Sequence, residues 1–180
     1  FFYMITAYTP TYGSSVLDLS PTSAMLVTLC VGLSNFALLP IMGALSDRVG
    51  RQPLLITCAL LAIVSGYPAL SWLAAQPSFG RLLAVELWLA LIYAGYNGAM
   101  IVYLTEVMPP RVRTAGFSLA YSLATAIFGG FTPALATYLI AATDNPAMPG
   151  AWLSPAATIS LLATLLLSRG AAKRAAAGIA

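Results

Sequence analysis

Charge is scarce in this chain of 180 residues. Eight Lys and Arg and five Asp and Glu make up 7% of it, while 60% is hydrophobic, against roughly 25% charged in an average soluble domain. That shortage excludes an ordinary water-facing surface and points to a bilayer. Histidine is absent altogether, which removes His-based catalytic triads and His metal sites. The two cysteines, Cys30 and Cys58, fall inside apolar runs, where a thiol behaves as a small buried hydrophobe, and no disulfide or metal spacing accompanies them. No cofactor is expected. The basic residues stand singly or in pairs near the ends of apolar runs, which argues against a nucleic-acid partner. The opening FFYMITAYTP has neither a basic n-region nor a cleavage site, so it does not read as a signal peptide. The expectation is a chain that starts inside a span and is a fragment of something longer.

What is present is a series of long apolar runs. A bilayer span needs about 20 mostly apolar residues, and the chain accommodates six segments, the first of them short. The first segment runs over residues 1–12, and Ser14 to Ser20 make a polar turn ending in Ser20-Pro21, a helix-start pair. The second span covers 21–44 and the third 53–74, with Pro53 in its first turn. The fourth covers 82–108 and stops at Pro109-Pro110, which cannot continue a helix. The fifth covers 114–142, DNPAMPG turns the chain, and the sixth covers 150–167. Residues 1–168 therefore read as an all-α membrane unit and 169–180 as a short basic tail.

Alternate loops lie on opposite sides of the membrane, so basic residues report orientation. Arg48, Arg51, Arg111, Arg113, Arg169, Lys173 and Arg174 fall on one side and Arg81 alone on the other. The positive-inside rule then puts the richly basic side, with the carboxyl terminus, in the cytoplasm. Trp72, Trp88 and Trp152 lie toward the opposite ends of their spans, as an interfacial aromatic belt would place them.

The most charged stretch, GALSDRVGRQ at residues 43–52, lies between two apolar runs. Gly43 and Gly50 read as flanking a tight turn between antiparallel helices. The positive-inside rule accounts for Arg48 and Arg51 but not for Asp47, whose place among arginines points to an ion pair or a helix-end contact. The stretch Gly43 to Arg51 resembles the loop signature of the major facilitator superfamily of transporters. In that family the motif follows the second helix of each half and locks the cytoplasmic gate through its Asp and Arg. Gln52 stands where a second basic residue is common. A second stretch, EVMPPRVRTAGFS at residues 106–118, continues to GGFTP at 129–133 and resembles the metabolite:proton symporter branch. YTPTYG, VGLSNFALLP, YNGAMIVYLTEVMP and GFSLAYSLATAIFGGFTP are similar to citrate-proton symporters and their tricarballylate-transporting relatives. The resemblance runs over nearly the whole chain. It implies helices seven to twelve of a twelve-helix transporter, a three-plus-three repeat with its first helix cut short and the amino-terminal six-helix half missing. It also implies proton-coupled uptake of a small carboxylate across the inner membrane.

Transport chemistry needs polar groups at mid-depth facing a cavity, because in lipid they go unsatisfied. On the fourth span, Tyr93 and Asn97 each fall within about 20° of Glu86 at about 100° per residue. Tyr93, Tyr96 and Asn97 are candidates to hydrogen-bond a polyacid, or else bonds to neighbouring helices. Glu86 is the acid well inside a span, and a carboxyl held away from water is a candidate to load and release protons. The plainer reading has it snorkelling to interfacial water. Ser34 and Asn35 in the second span and Tyr121, Ser122 and Thr125 in the fifth approach mid-depth and are further candidates to line the cavity. Ser122, Ala126, Gly130 and Ala134 repeat every four residues as a stripe for close helix packing. Pro40 and Pro133 interrupt corresponding helices of the possible repeat. Tyr8, Thr9 and Thr11 around Pro10 are candidates for an outer gate, and Glu106 and Arg113 for a pair across the cytoplasmic turn.

The reading is a secondary transporter half, not an enzyme, moving citrate or a related tricarboxylate with protons. Its rivals are the same family carrying a dicarboxylate or an osmolyte, and a stand-alone six-helix structural membrane protein.

Overall fold

The computed structural model describes residues 3–176, with side chains to residue 168. Among the described residues five helices are long and apolar enough to cross a membrane. They are α2 (Pro21–Val49), α3 (Arg51–Ala75), α4 (Phe79–Val107), α5 (Arg113–Thr143) and α6 (Met148–Ala176). A shorter helical segment precedes them. This α1 consists of π-helical Met4–Tyr8, α-helical Thr9–Thr11 and π-helical Tyr12–Val16. It reaches past the expected end at residue 12, so Ser14 is helical and its hydroxyl donates to Pro10 O at 2.7 Å. The later spans keep their expected order with ends shifted by a few residues, and α2 runs unbroken through Pro40 to Val49. The helix of α6 continues to Ala176, through part of what reads as a tail. The side chains of Arg169, Lys173 and Arg174 lie outside the described residues.

Local chemistry sets the helix ends. Ser20 caps α2 by accepting the Ser23 N–H at 3.2 Å, with Pro21 at the first helical position. Ser78 caps α4 by accepting the Arg81 N–H at 3.3 Å. Between α2 and α3 a single residue makes the break, Gly50 at φ +99°, a left-handed setting that glycine adopts without steric cost. Gly43 does not flank this turn. It lies inside α2, where a Cβ on Gly98 of α4 would come within 3.0 Å of the Gly43 backbone nitrogen, so the glycine pair permits close helix approach.

The helices are apolar on nearly every face, as lipid contact requires. α2 turns Met25, Leu29, Leu33 and Phe36 outward. α3 lies between α4 and α6, and α2 packs on α4. At the α3 and α6 crossing, a Cβ on Gly150 would lie 2.5 Å from Gly66 O, so two backbones touch without intervening side chains. The larger core, away from the Gly50 end, gathers Tyr8 and Tyr12 of α1, Val27 of α2, Leu73 of α3, Leu89 of α4 and Leu153 of α6. α5 is the outlier. Its π-helical turn Thr125–Gly130 separates two α-helical limbs, Arg113–Ala124 and Thr132–Thr143, and little of it is buried.

Candidate transport site and gate

At the Gly50 end, the reversal after α2 brings its last turn beside the start of α3 and the end of α4. Arg51 Nη2 lies 3.1 Å from Asp47 Oδ1, and Arg51 Nη1 lies 2.6 Å from Glu106 Oε1. One guanidinium thus joins carboxylates on two further helices, a fork geometry that lysine does not reproduce. The side chains of Asp47 and Glu106 are 65% and 52% exposed and that of Arg51 28%, so water screens both pairs. Arg48, Arg111 and Arg113 are exposed and join none of the ion pairs among the described residues. The expected partner of Glu106 is therefore replaced: Arg51 takes it and Arg113 does not. Pro109 and Pro110 end α4 before Arg113 opens α5, which carries that arginine away.

Midway along α4 the side chains divide. Tyr93 and Tyr96 line a cavity of about 150 Å³ between α3, α4 and α6, with Ala59, Ala62, Ala157 and Ser160. The small alanines leave the space, and its walls are mostly apolar. The Tyr96 hydroxyl is hydrogen-bonded to Ser160 Oγ on α6, a helix-to-helix tie that engages its polar atom. Asn97 is half-buried on the face it shares with Tyr93 and Glu86. On α2, Ser34 donates to its own helix at Val31 O, 2.8 Å away. Asn35 is buried with Oδ1 lacking a hydrogen-bond partner. On α5, Tyr121 is exposed and stacked on Phe117 with centroids 5.5 Å apart, and Thr125 opens the π-turn. The structure brings Tyr93 and Tyr96 into one cavity and leaves Ser34, Asn35, Tyr121 and Thr125 outside it.

Glu86 does not snorkel. It is 0% exposed. It is enclosed by α1, whose Thr9 and Tyr12 are its neighbours. Both are completely buried. Tyr12 donates its hydroxyl to Pro146 O in the α5–α6 turn at 2.7 Å, and Tyr8 OH lies 3.3 Å from Thr137 Oγ1 of α5. The surroundings of Glu86 escaped sequence reasoning, although Tyr8 and Tyr12, four apart, share a helix face in the YTPTYG stretch.

One other expectation is corrected. The stripe Ser122, Ala126, Gly130 and Ala134 is exposed at all four positions, and a Cβ on Gly130 would meet nothing within 4 Å, so the stripe packs against no helix among the described residues. Trp88, in α4, gives its indole N–H to Ser65 Oγ of α3 at 2.9 Å, a contact between helices. Trp72 does lie at a helix end, where Arg81 stacks over its ring at 4.7 Å and donates to its carbonyl at 3.1 Å.

Five helices long and apolar enough to cross a membrane thus surround the shared arginine and the buried carboxyl of Glu86. The family model for "Sugar (and other) transporter" matches residues 3–167, and the chain belongs to that family, within the major facilitator superfamily. Over 171 residues it is 58% identical to a citrate-proton symporter of Klebsiella pneumoniae, a match covering 95% of this chain and 38% of that protein. It is 54% identical over 166 residues to a citrate-proton symporter of Salmonella typhi, covering 92% and 38%. A proline/betaine transporter of Escherichia coli K12 is 29% identical over 161 residues, covering 89% and 32%. The chain spans well under half the length of these curated relatives. No solved structure matches it significantly.

Proposed function

We propose that this chain is the carboxyl-terminal half of a proton-coupled symporter for citrate or a related tricarboxylate, working by alternating access around a site shared with an amino-terminal six-helix half. The observation that carries the substrate is the 58% identity to a protein named for citrate-proton symport. Osmolyte transporters stand at about half that identity, 29%, so an osmolyte is the second reading. Rocking of two halves moves the solute without forming covalent bonds. The Gly50 end faces the cytoplasm of the inner membrane, on the strength of its basic residues.

Asp47, Arg51 and Glu106 form the cytoplasmic gate lock, with Gly50 setting its turn, Gly43 the helix approach beneath it, and Arg48 and Arg113 meeting the other half. The exposed stripe of α5 is the surface that half covers. Tyr93 and Asn97, with Asn35, Ser34, Tyr121 and Thr125, contribute to the site shared with the other half, a space distinct from the α3–α4–α6 cavity that Tyr96 and Tyr93 line. Glu86 is the proton-coupling group, since it is the acid that the fold buries inside a span. A tricarboxylate needs cations, and the described arginines of this half all stand at helix ends, so the principal carboxylate-binding cations belong to the other half. Uptake of labelled citrate by vesicles holding the full-length protein, with competition by dicarboxylates and betaine, tests the substrate. Competition by betaine alone would favour the osmolyte reading.

A further inference from the structure

Asn35 stands apart from the buried hydroxyl residues around it. Those are satisfied within their own helices: Thr9 donates to Met4 O, Ser46 to Gly43 O, Thr132 to Phe128 O and Thr164 to Ser160 O. Asn35 is 7% exposed, and its Oδ1 is fully buried without a hydrogen-bond partner. A buried amide oxygen left unpaired is costly, and at membrane depth water does not relieve it. Such a group calls for a partner from elsewhere.

Its position says where that partner arrives. α2 and α4 are both 29 residues long, and Asn35 is the central residue of the first as Tyr93 is of the second. Each therefore stands about 21 Å along the axis from either end of its helix. The two helices lie side by side. Toward the Gly50 end a Cβ on Gly98 would meet the Gly43 backbone, and toward the other end Gly13 of α1 is wedged against Ala24 of α2 and Leu82 of α4. Asn35 falls between these contacts, one turn beyond Val31, where the larger apolar core ends on α2. Several hydroxyls of the bundle are already committed: Ser34 donates to Val31 O, Thr137 to Tyr8 OH, and Tyr96 is paired with Ser160.

The chemistry of the orphan atom selects its partner. Oδ1 is an acceptor, and ionised carboxylates are acceptors only, so no carboxylate of a polyacid satisfies it. Fully ionised citrate has one donor, the hydroxyl on its central carbon. Tricarballylate has the same three carboxylates and a hydrogen where that hydroxyl stands.

We propose that Asn35 is the specificity residue that reads the solute's hydroxyl: its Oδ1 accepts that O–H when the solute binds, and a tricarboxylate without the hydroxyl leaves it unpaired. The inference rests on the citrate-type reading and on the place of Asn35 in the site shared with the other half. The described arginines of this half stand at helix ends, so it offers an uncharged reader to the solute's uncharged group, while cations of the other half hold the carboxylates. The amide turns about a broad terminal torsion, which lets the oxygen swing from the helix seam to the solute without moving α2.

The test is uptake of labelled citrate and labelled tricarballylate by vesicles holding the full-length transporter, comparing the parent with Asn35→Leu, which keeps the size and removes the acceptor. One hydrogen bond to an uncharged group sets the KM for tricarballylate about tenfold above that for citrate in the parent. In Asn35→Leu the KM for citrate should rise about tenfold and that for tricarballylate should stay within about twofold, so the preference disappears. Asn35→Ala, smaller than the native side chain, is read the same way if the leucine variant does not reach the membrane. A parent that does not distinguish the two acids, or a variant that raises both KM values in step, would overturn the inference and leave the citrate reading intact. No uptake of either acid by the parent would overturn both.

Discussion

The two ends of this helix bundle are held by different chemistry. At the Gly50 end, Arg51 binds Asp47 and Glu106 at 3.1 and 2.6 Å in a water-exposed cluster. At the other end neutral hydroxyls do the joining: Tyr12 to Pro146 O at 2.7 Å, and Asn145 Nδ2 to Tyr67 OH at 3.4 Å, above the bare backbone contact of Gly66 and Gly150. Exposed ion pairs contribute about 0–1 kcal/mol each and weaken with salt. Close backbone packing and hydrogen bonds between neutral groups are not weakened by salt in that way. The charged end is thus the salt-sensitive one, and the tyrosine end is joined to the fold's core.

That contrast can be broken at its strongest point first. Gly150→Leu forces side-chain atoms into space where even a Cβ would sit 2.5 Å from Gly66 O, so α3 and α6 must separate. The expected loss is at the upper end of the roughly 1–3 kcal/mol of overpacking, read as a fall in thermal stability in detergent and in membrane yield. A variant as stable as the parent would show that the helices do not meet backbone to backbone.

Arg51→Ala should act on transport far more than on stability. It removes both pairs at once and is expected to cost about 1 kcal/mol in the folded protein, with citrate accumulation reduced severalfold as the cytoplasmic gate fails to hold. A double-mutant cycle between Arg51→Ala and Glu106→Gln should return a coupling of a few tenths of a kcal/mol or more, shrinking between low and high salt. A cycle of Arg113→Ala with Glu106→Gln should return nothing. The reverse result would reinstate the local pair across the α4–α5 turn.

The smallest effect is expected at Tyr96. Tyr96→Phe removes a bond to Ser160 Oγ and should lower stability by about 1 kcal/mol while leaving the KM for citrate unchanged. Tyr93→Phe, on the face shared with Asn97, should raise KM. A raised KM in Tyr96→Phe would make the cavity behind α4 part of the solute site.

How far the sequence carried these conclusions depended on the range of the interaction. Span positions were legible because a bilayer demands a long apolar run, and Ser20-Pro21 and Pro109-Pro110 mark their boundaries within the local chain. Gly43 was misread as a turn residue because its reason for being glycine is Gly98, fifty-five residues away. The Arg51–Glu106 pair spans the same distance, and its local rival, Arg113, was the more visible choice. The alignment of Glu86 with Tyr93 and Asn97 followed from helical period alone. The cover that α1 lays over Glu86 did not, since π-helical turns shift the face of α1 that meets α4. The stripe on α5 followed from its four-residue spacing, but spacing does not report burial, and all four residues are exposed.

The most direct measurement is uptake of labelled citrate by vesicles containing the full-length protein, with and without an inward proton gradient. The account predicts uptake driven by the gradient, lost in Glu86→Gln and reduced severalfold in Arg51→Ala. Citrate uptake of equal rate with and without the gradient, or none under either condition, would contradict it.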